Sequence, residues 1–260
     1  RKPMLRAVFR AADAAPFDGT AMGCRILAAV GAYGFAGEVP VWRGDDFLLA
    51  GAGDAALFCG EAKDPGEVES FLCFLGSRVL VSTGQTFGFS VLETGALMCL
   101  RAPLSFPVPE GETPCFLEQA PKPEDPPLSA LYALLSESED ETLHFSAPPY
   151  DAFLLDTSRR LRRGTRVGAA LRGPDGAFSA CVFADISPKS LFLFSGAVAP
   201  KKRGRGRFAG LLAALSARVA RESCFLFCVE PLCRYYTALG FQRAGSFFFL
   251  DPKKKADGFA

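Results

Sequence analysis

Five basic residues are interleaved with two glycines in the stretch FLFSGAVAPKKRGRGRFAGLLAALSARVA, residues 192–220. An apolar run precedes this cluster and an alanine- and leucine-rich segment follows it, which indicates a strand, a loop and a helix. The first amides of a helix have no internal partner and carry partial positive charge, and glycine lets the backbone approach a ligand closely. Such a loop suits a phosphate or pyrophosphate. We call residues 200–209 the basic loop; its charged residues are Lys201, Lys202, Arg203, Arg205 and Arg207.

Two other interpretations of the basic loop fit less well. A nucleic-acid patch would account for the lysines and arginines, but no aromatic stacking platform accompanies them, and the net charge of +1 gives no overall attraction to nucleic acid. A dinucleotide fingerprint would account for Gly204–Ala209, which matches G-x-G-x-x-A, with Glu230 at the end of the next predicted strand. However, Pro200 to Arg203 separate the strand from the first glycine, and too little chain follows Glu230 to complete a doubly wound sheet.

Two α/β segments flank a proline-rich stretch. Hydrophobic spacing and helix-end signals predict helices over 20–34 and 64–76 and strands within 39–60 and 77–83. Eight prolines between 103 and 127 indicate a connector, because proline favours extended backbone. Beyond it the predicted order is α-α-β-β-β-α-β-α-β. We therefore predict an α/β domain over 1–105, a Pro-rich connector over 106–127 and a second domain over 128–252.

Composition limits the location of the protein and the kinds of site it carries. The nine cysteines are odd in number, form no Cys-x-x-Cys and lie mostly inside apolar runs, so they are expected to be buried, reduced thiols in the cytoplasm. A single histidine, His144, and the cysteine spacing predict no metal centre. No apolar segment approaches the ~20 residues that span a bilayer and no secretory leader is evident, so no membrane association is expected.

The segment GAVAPKKRGRGRFAGLL resembles the acetyl-CoA signature of the GCN5-related N-acetyltransferase superfamily, which reads V-x-P-x-x-R-G-x-G-x-G/A after a strand. Val198, Pro200, Arg203, Gly204 and Gly206 are in register with it, whereas Phe208 replaces a glycine or alanine. The family's Y-x-x-x-G-F element is present at 236–241, one helix and one strand later. The resemblance covers about residues 128–250. More loosely, the whole chain, including DTSRRLRRGT, resembles bacterial two-part members with a divergent N-terminal half.

This resemblance implies a fold and a cofactor. The fold would be α/β (α+β), with a mixed, mostly antiparallel sheet flanked by helices, an acetyltransferase-like C-terminal domain and a smaller α/β N-terminal domain. The cofactor would be acetyl-CoA. Backbone amides of the basic loop would bind its pyrophosphate, with Phe208 altering or narrowing the end of the cradle, and the preceding strand would hold the pantetheine arm and acetyl carbonyl. The cofactor-binding residues would be Ala197, Val198, Arg203, Gly204, Arg205, Gly206, Arg207 and Phe208.

The resemblance also implies acetyl transfer to an amine, which needs a base for the amine and an acid for the leaving thiolate. Tyr236 is the candidate acid, because a phenol with a pKa near 10 can share a proton with a thiol of pKa ~8.5; Tyr235 is the fallback. Glu230 is the candidate base, with Asp185 and His144 as alternatives. The acceptor, a small-molecule or peptide amine, is not specified by the sequence.

A non-catalytic coenzyme A-binding or interaction scaffold is the competing hypothesis, with packing, homodimerisation or gating as roles for the N-terminal half.

Overall fold

The computed structural model describes residues 5–35, 38–119, 122–143 and 145–256. Its N-terminal half contains strands β1 (Arg6–Ala7), β2 (Val41–Arg43), β3 (Phe47–Ala52), β4 (Ala55–Gly60), β5 (Arg78–Val81) and β6 (Phe89–Leu100), and helices α1 (Ala11–Ala14), α2 (Ala21–Tyr33) and α3 (Pro65–Leu75). The C-terminal half contains β7 (Thr113–Leu117), β8 (Arg166–Arg172), β9 (Phe178–Ile186), β10 (Ser190–Val198), β11 (Ser223–Cys228) and β12 (Gln242–Lys255), with α4 (Leu128–Glu137), α5 (Tyr150–Arg162), α6 (Arg207–Arg218) and α7 (Glu230–Ala238).

The two halves share one sheet because each gives its last strand to the other. The strand order is β1-β2-β3-β4-β5-β12-β6-β11-β10-β9-β8-β7. Strand β6 lies between β12 and β11, and β12 lies between β5 and β6, all paired antiparallel. Each half also has one parallel pair, β4 with β5 and β10 with β11. The exchanged strands join the two halves in one sheet. The predicted domain bounds, 1–105 and 128–252, stay a prediction.

Helices cover both faces of the sheet. On one face, which we call the α6 face, α6 packs on β8, β9 and β10, α7 packs on β6 and β12, and α3 packs on β4, β5 and β12. On the opposite face, the α2 face, α2 packs on strands of both halves while α4 and α5 cover β8 to β10. Burial on both sides explains the nearly continuous apolar runs in the central strands.

The predicted helices begin and end at the expected sequence signals. The Thr20 hydroxyl accepts a hydrogen bond from the Gly23 amide at the start of α2, and the Asp64 carboxylate accepts one from the Gly66 amide at the start of α3. Gly76 ends α3 with φ of 65°, the left-handed conformation typical of a helix C-terminus. These caps fix the start of α2 and both ends of α3.

The predicted connector is packed against the C-terminal half. It contributes β7, which pairs antiparallel with β8 at the edge of the sheet. Its Pro107 carbonyl lies so close to α6 that a Cβ on Gly210 would be 2.6 Å from the carbonyl oxygen. Glu112, whose side chain is 4% exposed, accepts a hydrogen bond of 2.6 Å from Arg207 of α6. Proline content identified the extended backbone but not the strand, since pairing with β8 depends on residues far along the chain.

A buried ionic network connects α2 of the N-terminal half with α5, β8 and β9 of the C-terminal half. Arg166 of β8 donates to Asp185 of β9 at 2.9 Å and to Asp156 of α5 at 2.7 Å. Arg160 donates to Asp156 at 2.8 Å, and Tyr33 of α2 donates to the same carboxylate at 2.6 Å. Burial would raise the pKa of Asp156, but the charges of Arg166 and Arg160 and the hydrogen bonds outweigh it and hold the pKa at about 2.

No helix in the described residues is long and apolar enough to cross a bilayer.

Six of the nine cysteines are buried. Burial raises the pKa of the Cys181 thiol to about 12. These buried thiols therefore act as small apolar side chains of the core.

Candidate functional site

A gap opens in the sheet where the parallel strands β10 and β11 diverge. Their registered pairing runs from Ser190 opposite Ser223 only as far as Leu193 opposite Leu226. Beyond that point β10 has an irregularity against β9 between Phe194 and Ala197, and Ser195 has φ of 47°. Ala197 and Val198 pair with β9 on one side, so their other side faces the gap.

A cavity of about 870 Å³ passes through this gap. On the α6 face its wall includes Leu193, Leu226 and Phe208, which belong to the core beneath α6. On the α2 face it includes Phe194 and Phe227, which belong to the core beneath α2. The cavity therefore gives a ligand access to both faces of the sheet through the space between two strands.

The basic loop forms one wall of the cavity. A 3₁₀ turn at Pro200–Lys202 leaves β10, and Gly204 and Gly206 follow with φ of 78° and 70°, a conformation that only glycine adopts easily. Gly206 is the N-cap of α6 and makes no side-chain cap. Within the described residues, the amides of Gly204 through Ala209 donate to no protein acceptor. The loop thus presents unbonded N–H groups at the positive end of a helix, an arrangement suited to an anion.

The five charged side chains of the basic loop are not equivalent. Arg207 is 13% exposed, and its guanidinium is bound by Glu112 and by the Lys202 carbonyl. Arg203 donates to the Val198 carbonyl at 3.3 Å and to the Ser138 carbonyl at 3.4 Å, and it pairs with Asp140 at 3.6 Å. Arg207 and Arg203 therefore stabilise the loop. The remaining charged side chains are Lys201 and Arg205, both exposed, and Lys202, which lies 3.8 Å from Asp175.

Phe208 lies where the resemblance predicts a small residue. Its ring packs against β10 so closely that a Cβ on Gly196 would be 2.5 Å from the ring. The ring is partly buried and lines the cavity. It therefore narrows the passage between the helix start and the strand, and the absence of a side chain at Gly196 makes room for it.

Comparison with solved structures identifies this arrangement. A GCN5-related N-acetyltransferase from Kribbella flavida has a TM-score of 0.58 at 15% identity, over 88% of this chain and 95% of its own. A tandem GNAT protein from the clavulanic acid biosynthesis pathway has a TM-score of 0.54 at 14% identity, over 94% of this chain and 97% of its own. A GCN5-related N-acetyltransferase from Sphaerobacter thermophilus has a TM-score of 0.54 at 16% identity, over 95% of this chain and 94% of its own. This chain has the GCN5-related N-acetyltransferase fold.

The predicted resemblance and fold class are confirmed at the level of the fold, with an acetyltransferase-like C-terminal part and a smaller α/β N-terminal part. No protein-family model and no curated protein matches the sequence. At 14–16% identity the structural likeness establishes the fold. The activity has to be argued from the residues of the site.

The N-terminal half has a counterpart of the gap, but side chains fill it. After the parallel pair β4 and β5, the Gln85 side-chain amide donates to the Ala62 carbonyl and accepts from the Ala62 amide, both at 2.8 Å. Phe58 and Phe87 pack edge to face beside this bridge. The helix that follows β4 begins at the capping carboxylate of Asp64 instead of at a glycine loop. In the part of the chain that the structure describes, the C-terminal gap leads into the cavity and the N-terminal gap does not.

The structure brings Tyr236 to the cavity wall. Tyr236 packs against Phe241 and Tyr235 at centroid distances of 5.7 and 5.3 Å, and it contacts the core beneath α6. Burial raises the pKa of its hydroxyl well above the usual value, so the group stays protonated at neutral pH. Tyr235 also lines the cavity but is 40% exposed, and burial raises its pKa as well. Both tyrosines named from the sequence thus reach the site.

The candidate bases from the sequence are placed less favourably. Glu230 was predicted at the end of a strand, but that strand ends at Cys228 and Glu230 is the first residue of α7. Its carboxylate is 65% exposed, is bound by Arg243 at 2.6 Å and does not line the cavity. Asp185 is buried in the ionic network. His144 lies outside the described residues, and the role of Glu230 stays a prediction that this geometry does not favour.

One part of the cavity was missed by the sequence analysis. On the α2 face, aromatic rings from the C-terminal half meet residues of the N-terminal strands β5 and β6. We call this part the aromatic lobe; its residues are Leu80, Glu93, Phe145, Phe194, Phe227, Phe247 and Phe249. No local signal marked Leu80 or Glu93, because the strand exchange that brings them to the cavity is not evident in the sequence.

Proposed function

We propose that this protein transfers an acetyl group from acetyl-CoA to the amine of a small molecule or peptide. The observation that carries the proposal is the cavity through the gap between β10 and β11, with the basic loop on its wall. A thioester bound along β10 has its phosphates at the start of α6, and an acceptor can approach its acetyl group from the aromatic lobe.

The basic loop supplies the groups that would hold the pyrophosphate. The unbonded amides from Gly204 to Phe208 point out of the helix start, while the exposed cations Lys201 and Arg205 add charge. Ala197 and Val198 lie on the part of β10 that borders the gap, although the Val198 carbonyl already accepts from Arg203 and Ser138. Because Phe208 narrows this passage, its ring has to rest against the bound pantetheine arm.

Tyr236 would supply the proton for the leaving group. Acetyl-CoA contributes an activated acetyl carbon, and attack by a neutral amine must be followed by loss of a thiolate. A protonated phenol at the cavity wall can donate to that thiolate and recover a proton from the nitrogen or from solvent. Tyr235 is the fallback donor.

A scaffold that binds coenzyme A without transferring the acetyl group is the second candidate function. The observation that favours it is Phe208, whose ring occupies the passage between the helix start and Gly196. In that case the chain would bind coenzyme A and acetyl-CoA similarly and show no transfer to any amine.

Transfer can be tested with purified chain, acetyl-CoA and a panel of primary amines. Release of coenzyme A should be followed by chromatography, because the exposed Cys73 would react with thiol dyes. We expect amine-dependent release by the parent and a loss of about 10²-fold or more in Tyr236→Phe. Binding of acetyl-CoA with no release for any amine would support the scaffold instead.

A further inference from the structure

The aromatic lobe contains a carboxylate at a defined position. Leu80 of β5, Phe249 of β12 and Glu93 of β6 lie directly opposite one another on three adjacent strands, so their side chains share one face of the sheet. Phe247 precedes this row by two residues, opposite Gly95. The lobe is thus a floor of apolar side chains with one acid, Glu93, supplied by the N-terminal half.

The absence of a side chain at Gly95 lets the Phe247 ring and the Cys228 backbone pack closely in the floor of the lobe. A Cβ on Gly95 would lie 2.6 Å from the Phe247 ring and 2.4 Å from the Cys228 carbonyl oxygen. The stacked rings of Phe227 and Phe247, 4.5 Å apart, continue the apolar surface toward the gap. Glu93 lies two strands from β10, which is about 10 Å at the usual strand spacing of ~4.8 Å and more where β10 and β11 diverge. The carboxylate and the gap are therefore far enough apart for an acceptor to lie between them.

Glu93 lines the cavity, and no hydrogen bond or salt bridge engages its carboxylate among the described residues. Arg78, two residues from Leu80 on β5, lies over the Phe249 ring at 5.8 Å and forms no salt bridge with Glu93. The other acid on the cavity wall, Asp140, is engaged by Thr142, the Leu143 amide and Arg203. Glu93 is therefore the one acid on the wall, within the described part of the chain, that is available to a ligand.

We propose that Glu93 binds the ammonium group of the acceptor, a primary amine carried on an aromatic or alkyl body that packs among the phenylalanines of the lobe. A carboxylate facing an apolar surface selects a cation with an apolar body, because a second charge or a polar body would lose hydration without gaining partners. This inference rests on the proposed acetyl transfer and specifies its substrate class.

Glu93 would also accept the first proton, directly or through one water. The ammonium loses a proton to Glu93, and the neutral nitrogen then forms the C–N bond to the acetyl carbon. Collapse breaks the C–S bond, the thiolate takes a proton from Tyr236, and the nitrogen gives its second proton to the tyrosinate, directly or through water. The proton on Glu93 passes to solvent, so the products are the amide, coenzyme A thiol and one released proton.

The test measures amine binding and turnover separately. The probes are 2-phenylethylamine and n-hexylamine, with phenylalanine and spermidine as the poorly matched amines, each titrated into the chain saturated with coenzyme A. We expect the two apolar amines to bind, and Glu93→Gln to weaken them about 10- to 100-fold, as for loss of a charged hydrogen-bond partner. Glu110→Gln removes an exposed carboxylate outside the cavity and should leave binding unchanged.

The outcomes separate this inference from the proposed function. If the parent and Glu93→Gln both bind acetyl-CoA with equal affinity, the variant is folded and the amine data can be compared. Failure of the parent to bind acetyl-CoA would overturn the proposed function itself. Two results would overturn only the assignment of the lobe, provided that the parent binds acetyl-CoA. One is tighter binding of spermidine than of 2-phenylethylamine, and the other is unchanged amine binding in Glu93→Gln.

Kinetics distinguish contact with the substrate from a structural role. For 2-phenylethylamine, Glu93→Gln should raise KM and lower kcat, and the loss of kcat should be smaller at high pH, where more of the amine is already neutral. A purely structural residue would lower kcat by the same factor at every pH, and that result would contradict the assignment.

Discussion

Replacing Asp185 by asparagine should destabilise the protein strongly without changing the chemistry of the site. Asp185 and Arg166 are only 4% and 6% exposed, and the second arginine, Arg160, lies 3.6 Å from the same carboxylate. Removing the negative charge leaves the guanidinium groups of Arg166 and Arg160, and that of Arg25 beside them, with one carboxylate fewer to offset their charge. Loss of one partner of a buried ion pair costs about 3–5 kcal/mol. At about 2–4 °C per kcal/mol for a chain of this size, the melting temperature should fall by roughly 6–20 °C.

Thermal and urea unfolding of the parent and Asp185→Asn measure this effect, and a second ion pair provides the matched control. Glu118 and Arg218 are 42% and 53% exposed and 2.7 Å apart, so Glu118→Gln should cost no more than about 1 kcal/mol. Turnover of folded Asp185→Asn should match the parent, since Asp185 does not line the cavity. Equal melting temperatures for the two variants would refute the reasoning from burial.

Three further predictions concern pH, catalysis and the loop. Asp156 has a pKa of about 2 in the folded chain and near 3.9 in the unfolded chain, so its charge stabilises the fold fully above about pH 3.9. The difference in unfolding free energy between the parent and Asp156→Asn, measured in urea, should therefore shrink as pH falls from 5 to 2. A difference that stays constant would argue against this role of Asp156. Tyr236→Phe should lower kcat about 10²-fold and leave acetyl-CoA affinity intact, and equal losses in both would indicate a packing role. Gly206→Val forces a branched residue to φ of 70° at a cost of roughly 1–2 kcal/mol and should weaken acetyl-CoA binding, measured calorimetrically, about 10-fold. The control Gly53→Val, at φ of 62° in the turn between β3 and β4, should not weaken it.

The sequence predicted the elements whose signals are local. Thr20 and Asp64 are ordinary helix caps, and the basic loop combines glycines, charges and a helix start within a few residues, so each could be located without knowledge of the fold. The Y-x-x-x-G-F element likewise located Tyr236 on the short helix beside the cavity. These features depend on neighbours within a few positions along the chain.

The features that the sequence could not predict depend on strand exchange and on pairing over long distances. Strand β6 was missed because its second half is buried on both faces and shows no alternation, and because its partners β11 and β12 lie more than a hundred residues away. Glu93 was missed with it. Glu230 was misplaced because β11 ends at Cys228, two residues before it, and Arg243, which binds the Glu230 carboxylate, comes from the following strand.

Calorimetric titration with acetyl-CoA tests the central claim, that the basic loop and the gap beside it form the cofactor site. The parent is compared with Arg205→Glu/Gly206→Glu, which reverses the charge of the loop and blocks its helix start. The control Arg101→Glu/Gly53→Glu makes the same two changes at an exposed arginine and at a positive-φ glycine in the turn between β3 and β4, neither of which lines the cavity. We predict binding by the parent and the control and at least a 100-fold loss in the loop variant. Equal binding by all three proteins, or no binding by a folded parent, would contradict the account.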